Sequence, residues 1–192
     1  VLASLLLPKP PVQGTGNTQL FQQYAQIQWQ FAPRWSLNTG YHGLSLLTNR
    51  SYAIDPRASV QYQLTHRQRL SFAYGSYSKA LPLMAYYVTD STGVRINKDL
   101  KLLKSEHFIA AWHWYARNST RISVETYLQR LFNVPVETNP LSTYWMLNLS
   151  EGFPEFPVVS RGKGMNTGGV WCRYWDFRRI FSGLLAFSAF YQ

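Results

Sequence analysis

The sequence predicts an all-β fold: an antiparallel transmembrane β-barrel section of about eight strands joined as next-neighbour hairpins. Three observations predict it. Apolar and polar residues alternate over long runs. Short and long connections alternate along the chain. Charged residues make up only 15% and aromatics 16%, yet mean hydropathy is slightly negative at −0.22. Typical soluble domains carry about 25% charged residues. The apolar content is therefore interleaved with uncharged Gln, Ser, Thr and Asn, as in a wall with lipid on one side and water on the other.

The runs have period two, so successive side chains point to opposite faces. In Thr18–Phe31, Ala25, Ile27 and Trp29 oppose Gln26, Gln28 and Gln30. In Ala58–Thr65, Ala58, Val60, Tyr62 and Leu64 oppose Ser59, Gln61, Gln63 and Thr65. In Glu106–Ala116, Phe108, Ala110, Trp112 and Trp114 oppose His107 and His113. In Arg121–Gln129, Ile122, Val124 and Leu128 oppose Arg121, Ser123, Glu125 and Gln129. Trp35–Leu47, Arg69–Lys79, Gly162–Trp175 and Phe181–Tyr191 complete the set. Most runs reach the roughly 9–11 residues that cross a bilayer at a tilt. Ile27, Trp29, Trp112, Ile122, Val124, Leu185 and Phe187 are expected to face lipid, and Gln26, Gln28, His113, Arg121 and Glu125 the interior.

Short links are expected at Ala32–Arg34, His66–Gln68, Arg117–Thr120 and Asp176–Arg179. Long ones are expected at Thr48–Asp55, Ala80–Leu103 and Phe132–Arg161. Short periplasmic turns opposite long extracellular loops is the outer-membrane pattern. Trp29, Trp35, Trp112, Trp114, Trp171 and Trp175 all fall within about five residues of a short link, as an interfacial aromatic girdle requires. All ten prolines, from Pro8, Pro10 and Pro11 through Pro33, Pro56, Pro82, Pro135, Pro140, Pro154 and Pro157, read as lying between or at the margins of the runs. That placement suits a residue lacking a ladder donor.

Several function classes drop out. The net charge of +10 comes from scattered Lys and Arg without a nucleic-acid-binding motif. Cys172 is the single cysteine, so no intrachain disulfide forms, and it reads as a small strand residue. No run approaches the roughly 20 apolar residues of a transmembrane helix. The opening Val1–Leu7 lacks an initiating Met and a basic start, and reads as a loop or a cut end rather than a signal peptide.

Family patterns run through the same stretches. They are Asp55-Pro56-Arg57-Ala58-Ser59-Val60-Gln61-Tyr62-Gln63-Leu64, Arg69-Leu70-Ser71-Phe72-Ala73-Tyr74-Gly75 and Asn97-Lys98-Asp99-Leu100-Lys101-Leu102-Leu103-Lys104-Ser105-Glu106-His107-Phe108. Further on come Tyr127-Leu128-Gln129-Arg130-Leu131-Phe132-Asn133-Val134-Pro135-Val136-Glu137, Leu147-Asn148-Leu149-Ser150-Glu151-Gly152-Phe153 and Gly162-Lys163-Gly164. In order and spacing the chain resembles the barrel of TonB-dependent outer-membrane receptors, particularly the Bacteroidetes type with a carboxypeptidase-regulatory-like N-terminal domain. After Gly164 the chain departs from the family. Met165-Asn166-Thr167-Gly168-Gly169-Val170 stands where relatives carry Arg-Asn-Tyr-Gly and then a glutamate, which falls at Val170. No role is carried over for that carboxylate. The resemblance implies an internal part of a barrel of about 22 strands, with the plug domain and remaining strands outside residues 1–192. It also implies energy-coupled uptake of a nutrient, TonB contact through the plug, and bilayer and lipopolysaccharide around the wall. The alternative is a self-contained small barrel acting as anchor or adhesin.

Candidate sites are few. His107 and His113 share the polar face but lie roughly 20 Å apart at strand rise, too far to share a metal ion. They read as lumenal polar side chains. Glu151 and Glu155 form a possible carboxylate pair in a Pro/Gly-punctuated loop without a nearby His, and read as solvated. Lys98, Lys101, Lys104, Arg161 and Lys163 fall on the extracellular side, where they read as loop charges or as contacts for anionic lipopolysaccharide or an acidic ligand. No catalytic set, cofactor motif or zinc spacing is visible, so the chain is expected not to be an enzyme. The sequence does not name the ligand-binding residues.

Overall fold

The computed structural model describes residues 16–90, 92–116, 120–139, 141–142, 144–146, 156–177 and 181–191, with backbone alone for 175–177 and 181–191. Val1–Leu7, Pro8, Pro10, Pro11, Pro140, Pro154, Glu151 and Glu155 lie outside the described residues, as does the motif Leu147–Phe153. Eight strands follow one another: β1 (Leu20–Ala32), β2 (Trp35–Leu46), β3 (Ser51–Thr65), β4 (Gln68–Lys79), β5 (Leu103–Tyr115), β6 (Arg121–Glu137), β7 (Val158–Phe177) and β8 (Phe181–Tyr191). They form one sheet in sequence order, and each strand is antiparallel to the next. The one helix among the described residues is α1 (Leu83–Tyr87). No ladder joins β1 to β8, so the sheet is open. β1 forms one edge, and its residues are exposed nearly throughout.

The ladders carry two faces across the sheet, with register shifts at Trp29/Ala32, Gln63/Thr65 and Leu131–Pro135. Directly paired residues share a face, and alternate residues take opposite ones. One face runs through the pairs Trp29↔Leu37, Leu37↔Val60, Val60↔Phe72 and Phe72↔Ala110, then Trp112↔Val124 and Val124↔Trp171. The other runs through Gln28↔Asn38, Asn38↔Ser59, Gln61↔Ser71, Arg69↔His113 and His113↔Ser123, with Ala111↔Glu125 beside them. The described residues of the two expected sets therefore fall on opposite faces, each with its own set. For Leu185 and Phe187 only the register is described: they pair with Arg173 and Trp171.

The connections segregate by end. Pro33-Arg34 and His66-Arg67 are two-residue turns at one end, and β5–β6 and β7–β8 connect there too. The β4–β5 link (80–102) and the β6–β7 link (138–157) lie at the other. Aromatics gather at the short-turn end. Trp29 meets Phe31 at 5.6 Å, Trp35 meets Tyr62 at 4.4 Å, and Trp112 meets Trp114 at 6.3 Å between ring centroids.

Three expectations need correction. Thr48–Asp55 is not a long link: β2 and β3 are joined by 47–50 alone, with Arg50 at φ 55° closing the turn. The expected link at Phe132–Arg161 is shorter at both margins, because β6 runs on to Glu137 and β7 begins at Val158. Two prolines lie inside strands. Pro56 stands where the β3–β4 ladder stops, since that pairing starts only at Arg57↔Gly75. Pro135 stands at an irregularity of the β6–β7 ladder, just after Asn133 at φ 58°. A missing amide donor is tolerated at a ladder end or a bulge.

Candidate ligand-facing wall and capping loops

The polar face carries a chain of side-chain contacts across the strands. The Gln26 amide donates to Asn38 Oδ1 at 2.8 Å. Arg57 lies over the Tyr77 ring at 4.3 Å, and Tyr77 meets His107 edge-on at 5.0 Å. A Cβ at Gly75 would come within 2.8 Å of the Tyr77 ring, so only glycine lets the ring lie down there. His107 Nε2 sits 2.7 Å from Ser105 Oγ and 3.1 Å from Gln129 Nε2. Gln129 Oε1 in turn accepts from Asn166 at 3.0 Å. These side chains come from seven neighbouring strands, β1 to β7, and make a polar surface suited to polar ligand groups or to a polar protein segment.

Asp55 is the most deeply buried charge on this wall, with no exposed surface. Its carboxylate accepts from Ser76 Oγ (3.0 Å), the Ser78 amide (2.8 Å) and Ser78 Oγ (2.8 Å). His42 Nδ1 lies 3.7 Å away. These bonds tie β3 to β4 where the backbone ladder is missing. The carboxylate stands between the serines and the imidazole, so neither hydroxyl is bonded to His42. The arrangement is a tether rather than a nucleophilic centre.

The long-loop end holds the hydrophobic core. Leu44 and Leu46 of β2 and Val158 of β7 pack with Leu81, Ala85, Tyr86, Tyr87, Leu100 and Leu102 from the β4–β5 link. Ala53, Tyr144, Met146 and Phe156 flank them. Leu44, Leu46 and Ala53 belong to the polar face by register, so the loops fold over that face at its end. Buried Asn97 stitches the two links together: its amide donates to Phe156 O and its oxygen accepts from the Val158 amide. Trp145 lies against Gly162 and Gly164; a Cβ on Gly164 would stand 3.0 Å from its ring. That close approach is a physical reason for the glycines of the Gly162-Lys163-Gly164 motif.

Burial pushes the Tyr86 phenol up, partly offset by the Leu81 amide that donates to it. Burial also pushes up Tyr144, whose hydroxyl has no hydrogen-bond partner. At the exposed tip, Asp90 is held below the usual carboxylate range by the Thr92 hydroxyl first and then by the Val94 amide.

The structure places the residues singled out from sequence as follows. His107 and His113 share a face of β5 but are not brought together. Among the described residues, no three His, Cys, Asp or Glu gather as a metal site. Lys101 and Lys104 come together beside Arg50, which sequence reasoning passed over. Arg161 reaches the carbonyls of Glu137 and Thr138 at 3.5 Å. The Asp55 tether was also missed, although Asp55-Pro56-Arg57 was conspicuous as a motif.

No family model and no curated protein matches the sequence. Solved structures match the shape. The ferric enterobactin receptor PfeA of Pseudomonas aeruginosa, solved as a point mutant, superposes with TM-score 0.71 at 13% identity, over 91% of this chain. The chain has the fold of part of a receptor barrel. The ferric-catecholate import receptor Fiu of E. coli, in a closed form, superposes over the same 91% with TM-score 0.56 and 13% identity. The chain spans 27% and 28% of those two proteins, little more than a quarter of either.

Proposed function

We propose that this chain is part of the barrel wall of a TonB-dependent outer-membrane receptor that imports a nutrient. One observation carries the reading. A two-faced antiparallel sheet, short turns at one end and folded loops at the other, superposes along 91% of its length on a ferric enterobactin receptor and on a ferric-catecholate import receptor. In this reading the apolar face meets lipid and the polar face, from Gln26 to Asn166, meets the lumen. The capping loops meet the cargo, a ferric siderophore or another chelate for which the +10 charge is complementary. A plug domain and further strands beyond this chain complete the barrel and contact TonB. The Bacteroidetes type and its extra N-terminal domain belong to the same proposal. The open sheet disfavours the small closed barrel, because an edge without a partner strand leaves amide groups that lipid cannot satisfy.

Deleting the gene in its own host and measuring uptake of a panel of ferric chelates and oligosaccharides tests the reading. Loss of one cargo, with the same loss in undeleted cells treated with a protonophore, is expected. Unchanged uptake of the whole panel together with lost surface adhesion would establish the anchor instead.

A further inference from the structure

We infer that the gap between β3 and β4 is a binding site for the phosphate-monoester headgroup of an outer-leaflet lipid. The inference rests on the outer-membrane reading above and adds a specific site to it. β3 pairs with β2 from Ser51 onward, but with β4 only from Arg57 onward. The edge of Ser51–Pro56 that faces β4 is therefore outside any ladder. Backbone amides and carbonyls left there are not tolerated against hydrocarbon, so the gap needs polar company.

The gap opens as a cleft of about 490 Å³, lined by Arg50, Tyr52, Ile54, Lys101, Lys104 and Asn133. Three cations meet there although they come from two separate connections and the start of β5. Lys104 shares its charge with Glu106 at 3.2 Å. No ion pair engages Arg50 or Lys101 among the described residues. Asp55 also touches the cleft, but its oxygens are occupied by Ser76 and Ser78. The serines do not cancel the Asp55 charge, but three cations against the two carboxylates of Asp55 and Glu106 still leave the cleft net positive, with the donors of Arg50 and Lys101 open.

Depth decides which anion fits. Tyr62, level with Trp35 in the short-turn girdle, and Tyr52 lie on the same face of β3. Their ten-residue separation is about 33 Å along the strand, or about 25 Å across the membrane at the usual tilt. That is the height of the apolar band, so Tyr52 marks the far interface and the cations lie at headgroup level. Tyr52 and Ile54 are 79% and 69% exposed and line the same cleft as the cations. A soluble phosphate uses only the cations; a phosphorylated lipid uses the cations and these two side chains together.

Native mass spectrometry of the whole protein in neutral detergent tests this, with dioleoyl phosphatidic acid, dioleoyl phosphatidylcholine and inorganic phosphate as probes. Phosphatidic acid is expected to bind well above phosphatidylcholine. The triple variant Arg50→Gln, Lys101→Gln, Lys104→Gln should weaken phosphatidic acid by at least about tenfold, while Arg161→Gln with Lys163→Gln changes it by less than about twofold. Tyr52→Ser with Ile54→Ser should weaken the lipid too. Equal losses in the two cationic variants would reduce the site to diffuse charge and overturn it. Displacement of the lipid by inorganic phosphate at matching concentration would reassign the site to a soluble anion and overturn the lipid. Heat-modifiable gel migration checks that each variant is folded. A wild type without that migration undermines the barrel reading itself, whereas a folded wild type without phosphatidic acid selectivity removes only the site.

Discussion

In the wall, Ile27, Trp29, Ile54 and Phe72 are large apolar side chains left more than half exposed. At the long-loop end, Leu44, Leu46, Tyr86, Leu100 and Leu102 are buried against one another. The same chain therefore satisfies its apolar side chains in two ways. The wall is held by its ladders, and in the proposed outer-membrane setting lipid would cover its apolar face in place of a protein core. The loops, in water, build an ordinary core and stitch their backbone with Asn49, Asn97 and Asn133 side chains. Two regions with separate sources of stability should fail separately.

The largest effect is expected from Tyr86→Ala. It empties a fully buried site and orphans the Leu81 amide, at a cost of about 3–5 kcal/mol to the cap. Limited proteolysis should then cut within 80–102, while heat-modifiable migration of the barrel persists. Collapse of both would show that cap and wall are one cooperative unit.

In the wall, Val124→Lys should cost about 2–4 kcal/mol in urea titrations of vesicle-inserted protein, and Ser123→Lys far less. The ladders put Val124 beside Trp112 and Trp171, and Ser123 beside His113. Equal costs would mean that the faces do not divide lipid from lumen.

Asp55→Ala removes three hydrogen bonds that stand in for a missing stretch of ladder. A loss of about 1–3 kcal/mol is expected in the same titration. Asp55→Asn should recover part of it, because one acceptor oxygen remains. No recovery would point to the charge near His42 rather than to the tether.

The smallest effect is at the loop tip. The Asp90 carboxyl is depressed in the folded loop, so its contribution is present above the unfolded value near 3.9 and lost as pH falls through the folded one. The amide NMR shifts of Thr92 and Val94 should report the tip loosening in acid, and Asp90→Asn should abolish that response. Tyr86 has the opposite sense: raised by burial, it loosens the cap as pH rises beyond about 10. A wall that responded in either window would not be independent of the cap.

Most of the wall was legible in the residues themselves. Period-two alternation is a local property, and it placed all eight strands, the hairpin order and the division of faces before any contact was known. The short turns and the gathering of aromatics beside them were legible for the same reason, since each depends on a few neighbouring residues. The tertiary structure decided where ladders stop. Pro56 and Pro135 lie inside strands because their neighbours leave a ladder end and a bulge there, and the neighbours are set by residues far along the chain. The capping core, the Asp55 tether and the meeting of Arg50 with Lys101 and Lys104 are likewise non-local. Each joins residues 20 or more positions apart, for which the order of residues within any one run carries no periodic signal.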